Sequence, residues 1–167
     1  MLVQMVAYFY IYSVIGWSLE VTYSALFRGM FLDPGTLIGP WCPIYGLGMV
    51  GIIKYLRPHW KHLLWLFFGG VLIASLLELG TGIILERLFH LQWWDYTDQP
   101  FNLGAYICLP FSMAWGVGAV FMVKMVHPSV NRLVENMSHA VSYSIVGVLS
   151  LLLLMDIVLS IEMVLKL

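Results

Sequence analysis

Charge is what this chain has least of. Of its 167 residues 10% are charged and 61% are hydrophobic, whereas a soluble domain carries about 25% charged residues. A separate soluble domain is thereby excluded, and nearly the whole chain is expected to lie in a lipid bilayer. A net charge of −1 supplies no basic surface for nucleic acid. Cysteine is almost as scarce. Cys42 and Cys108 are too few for a disulfide framework and read as small apolar side chains, with their pairing left open. No G-x-x-x-x-G-K-[ST] occurs, so the chain cannot bind ATP in the Walker manner. H-E-x-x-H, Cys/His metal spacing and a G-x-S-x-G elbow are also missing. The five histidines (His59, His62, His90, His127 and His139) fall in connections or at helix ends, which argues against an intramembrane bis-histidine haem. No cofactor and no metal are expected, and no catalytic motif marks an enzyme. The N-terminus lacks the basic region of a cleavable signal, so the first apolar run is expected to remain as a helix.

What is present is a succession of apolar runs. A spanning helix needs about 20 residues, and the runs predict an all-α polytopic transmembrane bundle in one domain, with five spans at about 2–27, 43–56, 63–87, 104–126 and 140–165. The second run reaches spanning length only if Thr36 to Tyr45 also enters the membrane. That stretch contains Gly39, Pro40 and Pro43, which rule out a continuous helix, so it reads as a broken or re-entrant segment or as a loop before a short tilted helix. Broken backbone is tolerated at depth where protein buries it or where it lines a cavity.

Basic residues orient the spans. Lys54, Arg57, Lys61, Lys124 and Arg132 fall on the side of the N-terminus, against Arg28, Arg87 and Lys166 on the other. The bias predicts a cytoplasmic N-terminus in the inner (plasma) membrane. With that topology only Glu135 of the nine acids faces inward. Glu20, Asp33, Glu78, Glu86, Asp95, Asp98, Asp156 and Glu162 lie in outer half-helices or outer loops; those that face one cavity would attract cations or hold protons, whereas Asp33, Asp95, Asp98 and Glu162 read as solvated.

Three of these acids, Glu20, Glu78 and Asp156, sit inside apolar runs. A charge at membrane depth costs roughly 2.5–3.5 kcal/mol even on lenient scales, so such groups are buried, paired, protonated or line a polar path. On the first helix Tyr8, Tyr12, Gly16 and Glu20 recur every four residues along one ridge, flanked by Trp17. On the third, Glu78 and Glu86 lie about 12 Å apart along the axis, with Thr81 and Gly82 between them. Trp94, Asp95, Tyr96 and Asn102 in the third connection read as an interfacial belt or an ordered cap. Gly70/Ala74, Ser112/Gly116 and Ala114/Gly118 have the small-xxx-small spacing of close helix contact. Leu149 to Leu154 marks the last helix as lipid-exposed, so that Asp156 needs a reason to face inward.

Taken in order, Gly16-Trp17-x-x-Glu20, Arg28-Gly29, Gly39-Pro40-x-Cys42-Pro43-Ile44-Tyr45-Gly46, Glu78, Trp94-Asp95-Tyr96 and Phe101-Asn102-x-x-Gly104 resemble the CmpB-like “putative ABC-transporter type IV” membrane proteins of bacteria. Thr97 stands where that pattern leads one to expect serine. The resemblance implies a permease with an ATPase partner. Together with the acids it gives an expected outward-facing site for a small polar or cationic solute. The site comprises Glu20, Arg28, Glu78, Glu86, Trp94, Asp95, Tyr96 and Asn102, supported by Trp17, Pro40, Pro43, Tyr45 and Asp156. Five spans are few for a complete pathway, so a homo-oligomer or further subunits are expected. The alternatives are a membrane enzyme or lipid-modifying protein that uses the outer carboxylates, and a non-transporting accessory subunit.

The cation bias is directly testable by cysteine labelling of intact cells. An impermeant maleimide is expected to reach Asp98→Cys and to miss Ser129→Cys; the opposite pattern inverts the topology.

Overall fold

The computed structural model describes residues 2–27, 29 and 37–164. Arg28, Asp33 and the beginning of the expected re-entrant stretch lie outside the described residues. The chain is all-α. Helix α1 runs Leu2–Phe27, α2 Pro43–Leu56, α3 Leu63–Phe89, α4 Leu109–Phe121, α5 His127–Glu135 and α6 His139–Val164. A π-helical turn, Met122–Val126, joins α4 to α5, so that Leu109–Glu135 forms one long helical stretch. Four helical stretches among the described residues are long and apolar enough to cross a membrane, and the protein is a multi-pass membrane protein. Helix α2 occupies its expected range, but at 14 residues it falls short of the roughly 20 that a span requires.

The fourth stretch starts later and ends later than the expected 104–126. Residues 102–108 form instead a two-stranded antiparallel pair, β1 (Asn102–Leu103) with β2 (Ile107–Cys108), turning at Gly104 with φ +59°. A residue with a side chain is strained at that angle. Pro110 in the first turn then opens α4, where its missing N–H costs nothing.

The chain divides into two compact units, Met1–Leu47 with Val130–Leu167, and Gly48–Ser129. In the first, α1 packs on α6. The Tyr10 hydroxyl donates to Ser150 Oγ at 2.9 Å, and the Tyr8 hydroxyl to Asn131. The ridge expected on α1 is its packed face: Tyr8, Tyr12, Ser13, Gly16 and Ser24 are buried. The start of α2 crosses it closely, because a Cβ on Gly16 would enter the Tyr45 ring and one on Gly46 would meet Ser13 Oγ and the Phe9 carbonyl. Helix α6 buries the least surface of the four long stretches. Leu151, Leu154, Met155 and Val158 are each well over half exposed, which suits contact with lipid.

In the second unit α3 packs on α4. Of the small-residue pairs, Ser112/Gly116 is the contact row: both are buried, a Cβ on Gly116 would lie 2.6 Å from Val71 Cγ2 and 2.8 Å from Phe67 Cε2, and Ser75 Oγ donates to Ser112 Oγ at 2.8 Å. Gly70 faces Ala119. Gly118, by contrast, has open space where a side chain would be.

That contrast gives a stability test. Gly70→Leu drives a side chain into Ala119 and is expected to cost about 1–3 kcal/mol. Gly80→Ala enters open space and is expected to be neutral or to gain up to about 1 kcal/mol from helix propensity. Thermal denaturation in detergent distinguishes the two.

Candidate functional site

Each unit carries carboxylates on apolar helices, and the carboxylates differ in how their oxygens are satisfied. In the first unit Asp156 is 8% exposed and fully employed. The backbone N–H of Ile38 donates to Oδ1 and that of Gly39 to Oδ2, both at 2.8 Å. Ser160 adds a hydroxyl at 3.1 Å, and the Trp41 side chain also interacts with the carboxylate. The turn continues with Trp41 N–H donating to the Gly39 carbonyl at 2.7 Å and Cys42 N–H to the Ser13 carbonyl at 3.0 Å, and Pro40 and Pro43 shape the entry to α2. Asp156 therefore faces inward to hold the segment before α2, which is a structural role. A buried acceptor removed from two N–H groups would cost about 1–3 kcal/mol.

Glu20, half-buried on α1, accepts the Tyr45 hydroxyl. The geometry follows from Gly16: the Tyr45 ring lies over the glycine, and its hydroxyl reaches the acid one turn further along. Trp17 is half-buried beside them on α1.

The second unit repeats this device. The Tyr106 ring lies over Gly82 on α3, with Tyr106 Cδ1 2.7 Å from where a Cβ would be, and its hydroxyl donates to Glu86 one turn on. Gly16, Glu20 and Cys42 recur 66 residues later as Gly82, Glu86 and Cys108, and each cysteine directly precedes a helix that opens with proline in its first two residues. Both thiols are buried and free.

Glu78 differs from the others. It is 6% exposed, one turn before Gly82 on α3. The Tyr96 hydroxyl donates to Oε1 at 3.1 Å, while enclosed Oε2 receives no close hydrogen bond. The Trp115 side chain, on α4, interacts with the carboxylate more loosely. Phe111, one turn earlier on α4, stacks on the Tyr96 ring with centroids 4.8 Å apart.

The connection between α3 and α4 is an ordered cap that aims these tyrosines. Helix α3 ends in a left-handed His90, whose N–H donates to the Glu86 carbonyl at 3.1 Å, with Leu91 N–H returning to Leu85 at 3.1 Å, a Schellman closure. Asp95 Oδ1 accepts both the N–H and the hydroxyl of Thr97, which hold its pKa below the ordinary carboxylate value. Threonine thus supplies the hydroxyl that serine would. Tyr96 N–H donates to the Ala105 carbonyl at 3.1 Å, Trp94 Nε1 to the Tyr106 carbonyl at 2.8 Å, and Asn102 Nδ2 to the carbonyls of Thr97 and Gln99.

Of the residues expected at the site, Glu78, Glu86, Trp94, Asp95, Tyr96 and Asn102 gather in the second unit. Glu20, Tyr45, Pro40, Pro43 and Asp156 gather in the first, and Arg28 lies outside the described residues. Asp95 and Asn102 spend their polar atoms on the cap itself. Sequence reasoning missed Tyr106 and Trp115. The usable signal for Tyr106 was Gly82 one turn before Glu86; for Trp115, an indole N–H within an apolar helix, which requires an acceptor. Among the described residues no cluster of metal-ligating side chains occurs.

The family described as “Putative ABC-transporter type IV” matches residues 7–161. Among curated proteins and among solved structures no significant match to the chain is found.

The hydrogen bond to Glu86 raises the Tyr106 pKa above that of a free tyrosine. The bond's contribution to stability is therefore present below the ordinary tyrosine pKa and is lost as pH rises through the folded value. In carbon-labelled tyrosine spectra the Tyr106 resonance, assigned with Tyr106→Phe, is expected to titrate later than a free tyrosine and to move back toward the ordinary value in Glu86→Gln.

Proposed function

This chain belongs to that family of ABC-transporter-like membrane proteins, and from that premise we propose that it is a permease whose working group is Glu78. The observation that carries the reading is a carboxylate enclosed on a membrane-spanning helix, with a tyrosine hydroxyl on one oxygen and no close hydrogen bond on the other. Ionisable groups at membrane depth are expensive and mark ion or substrate paths. Both side chains that meet Glu78, Tyr96 and Trp115, bring donor groups. Such donors steady a carboxylate, and the Tyr96 hydroxyl oxygen can accept as well as donate. In this reading Glu78 exchanges a proton or pairs with a cationic solute.

In this reading the solute is small and polar or cationic. It enters from the outer face, past Glu86 and the Trp94–Asn102 cap, in an inner membrane with the N-terminus in the cytoplasm. In the other unit the Glu20–Tyr45 pair is a second acidic position on an apolar helix. The transport role calls for an ATPase subunit or a second copy of the chain to complete the pathway.

Proteoliposomes with an entrapped pH dye, offered a panel of small amines, amino acids and alkylammonium ions, test the reading. The wild-type chain, reconstituted with its partner subunits, is expected to show solute-dependent proton movement or uptake. Glu78→Gln keeps the shape and removes the charge, so it is expected to fold normally and to lose transport by tenfold or more, roughly the effect of removing a group essential to one step. A normally expressed, fully active Glu78→Gln protein ends the claim that this carboxylate carries chemistry.

A further inference from the structure

Charge in the second unit is sorted to its two ends. Close contacts fix the direction of each helix: Gly48, Gly51 and Leu56 of α2 meet Leu77, Ile73 and Gly69 of α3, while Gly116 and Ala119 of α4 meet Phe67 and Gly70. Helices α2 and α4 therefore both run antiparallel to α3. Before the start of α3 the Trp60 ring stands edge-on to His127, with centroids 5.1 Å apart, which brings the π-helical turn beside the connection from α2. This end carries Lys54, Arg57, Lys61 and Lys124, all exposed. The acids of the unit, Glu78, Glu86, Asp95 and Asp98, begin about 22 Å from Leu63 along α3 and continue into the cap.

No acid relieves these four cations. Lys54 Nζ lies over the neighbouring Tyr55 ring, 5.2 Å from its centroid. Among the described residues the side chains of Arg57, Lys61 and Lys124 make no hydrogen bond and no ion pair. Like charges at one end without a counter-charge repel one another and draw an anion from outside.

The surface around them indicates which anion. Tyr55, Leu63, Leu64 and Trp65 are each more than half exposed, and the Trp65 ring stacks on His59 with centroids 5.3 Å apart. Carbon surface beside cations, with tyrosine and tryptophan at the boundary, suits the bilayer interface. An acidic water-soluble partner would satisfy the charges and leave the leucines wet. A phospholipid satisfies both, with its phosphate on the cations and its acyl chains on the carbon surface. We propose that this end of the unit binds an anionic phospholipid, its phosphate held by Arg57, Lys61 and Lys124 and its chains along the first turns of α3.

The test is native mass spectrometry of the full-length protein in micelles doped equally with phosphatidylglycerol, cardiolipin and phosphatidylcholine. Preferential retention of the two anionic lipids is expected. It is expected to fall about fivefold in each of Arg57→Gln, Lys61→Gln and Lys124→Gln, the share of one cation at a lipid surface. Arg87→Gln, near the opposite end of α3, is expected to leave it unchanged. Removing basic residues can disturb membrane insertion, so the wild-type protein supplies a second measurement. Its retention of phosphatidylglycerol is expected to weaken as sodium chloride is raised, while that of phosphatidylcholine stays level. Equal retention of all three lipids, indifference to salt, or a preference untouched by the three substitutions or equally lost in Arg87→Gln overturns the proposal. Displacement of the lipid by inorganic phosphate at matched ionic strength also overturns it, by identifying a free anion as the occupant. Lipid retention is read without transport, so its failure and that of the Glu78 reading are separate results.

Discussion

A carboxylate on an apolar helix has to find hydrogen-bond donors inside the protein, because lipid offers none. That constraint organises the polar part of this molecule. Glu20, Glu78 and Glu86 each receive a tyrosine hydroxyl, and Asp156 receives two backbone N–H groups. In every case the donor comes from a segment beyond the helix that carries the acid, so satisfying the acid also fixes where that segment lies.

Glycine makes the arrangement possible at two of the four places. A tyrosine ring is broad, and it can lie flat against a helix only where no Cβ stands in its way. At Gly16 and Gly82 the ring occupies the missing side chain's volume, and the hydroxyl then falls naturally on a glutamate one turn further. The cost of glycine in a helix interior, about 1 kcal/mol relative to alanine, is offset by ring packing and by a charge-assisted hydrogen bond. The recurrence of the device at a spacing of 66 residues links sequence and geometry in the two units, although the tyrosine occupies a different place in each connection.

The four acids separate by what is left over after these bonds are made. Asp156 has both oxygens engaged by backbone and serves as an anchor. Glu20 and Glu86 are partly or fully open to the surroundings, with one tyrosine each. Glu78 alone combines near-complete burial with an oxygen that has no close donor. The Trp115 side chain approaches the same carboxylate from α4, so this buried acid is served by one close and one looser donor. The cap over α3 is built accordingly: Asp95, Thr97 and Asn102 bond among themselves, and what they present toward the helix is Tyr96 and Tyr106.

Hydropathy along the chain was enough to determine that the protein is all-α and membrane-embedded, and that Glu20, Glu78 and Asp156 sit on apolar helices. These are local properties, readable from runs of about 20 residues. The peripheral character of α6 was legible for the same reason, from the aliphatic run Leu149 to Leu154. The partners of the acids were not legible, because they come from far along the chain. Tyr96 is 18 residues from Glu78, Tyr45 is 25 from Glu20, and Gly39 is 117 from Asp156. Only the tertiary structure decided that Asp156 is an anchor, that Tyr106 and Trp115 join the glutamates, and that the fourth helical stretch begins after a β-turn at Gly104 and not before it. Composition sets the solvent that a segment prefers, whereas hydrogen-bond partners are chosen by packing.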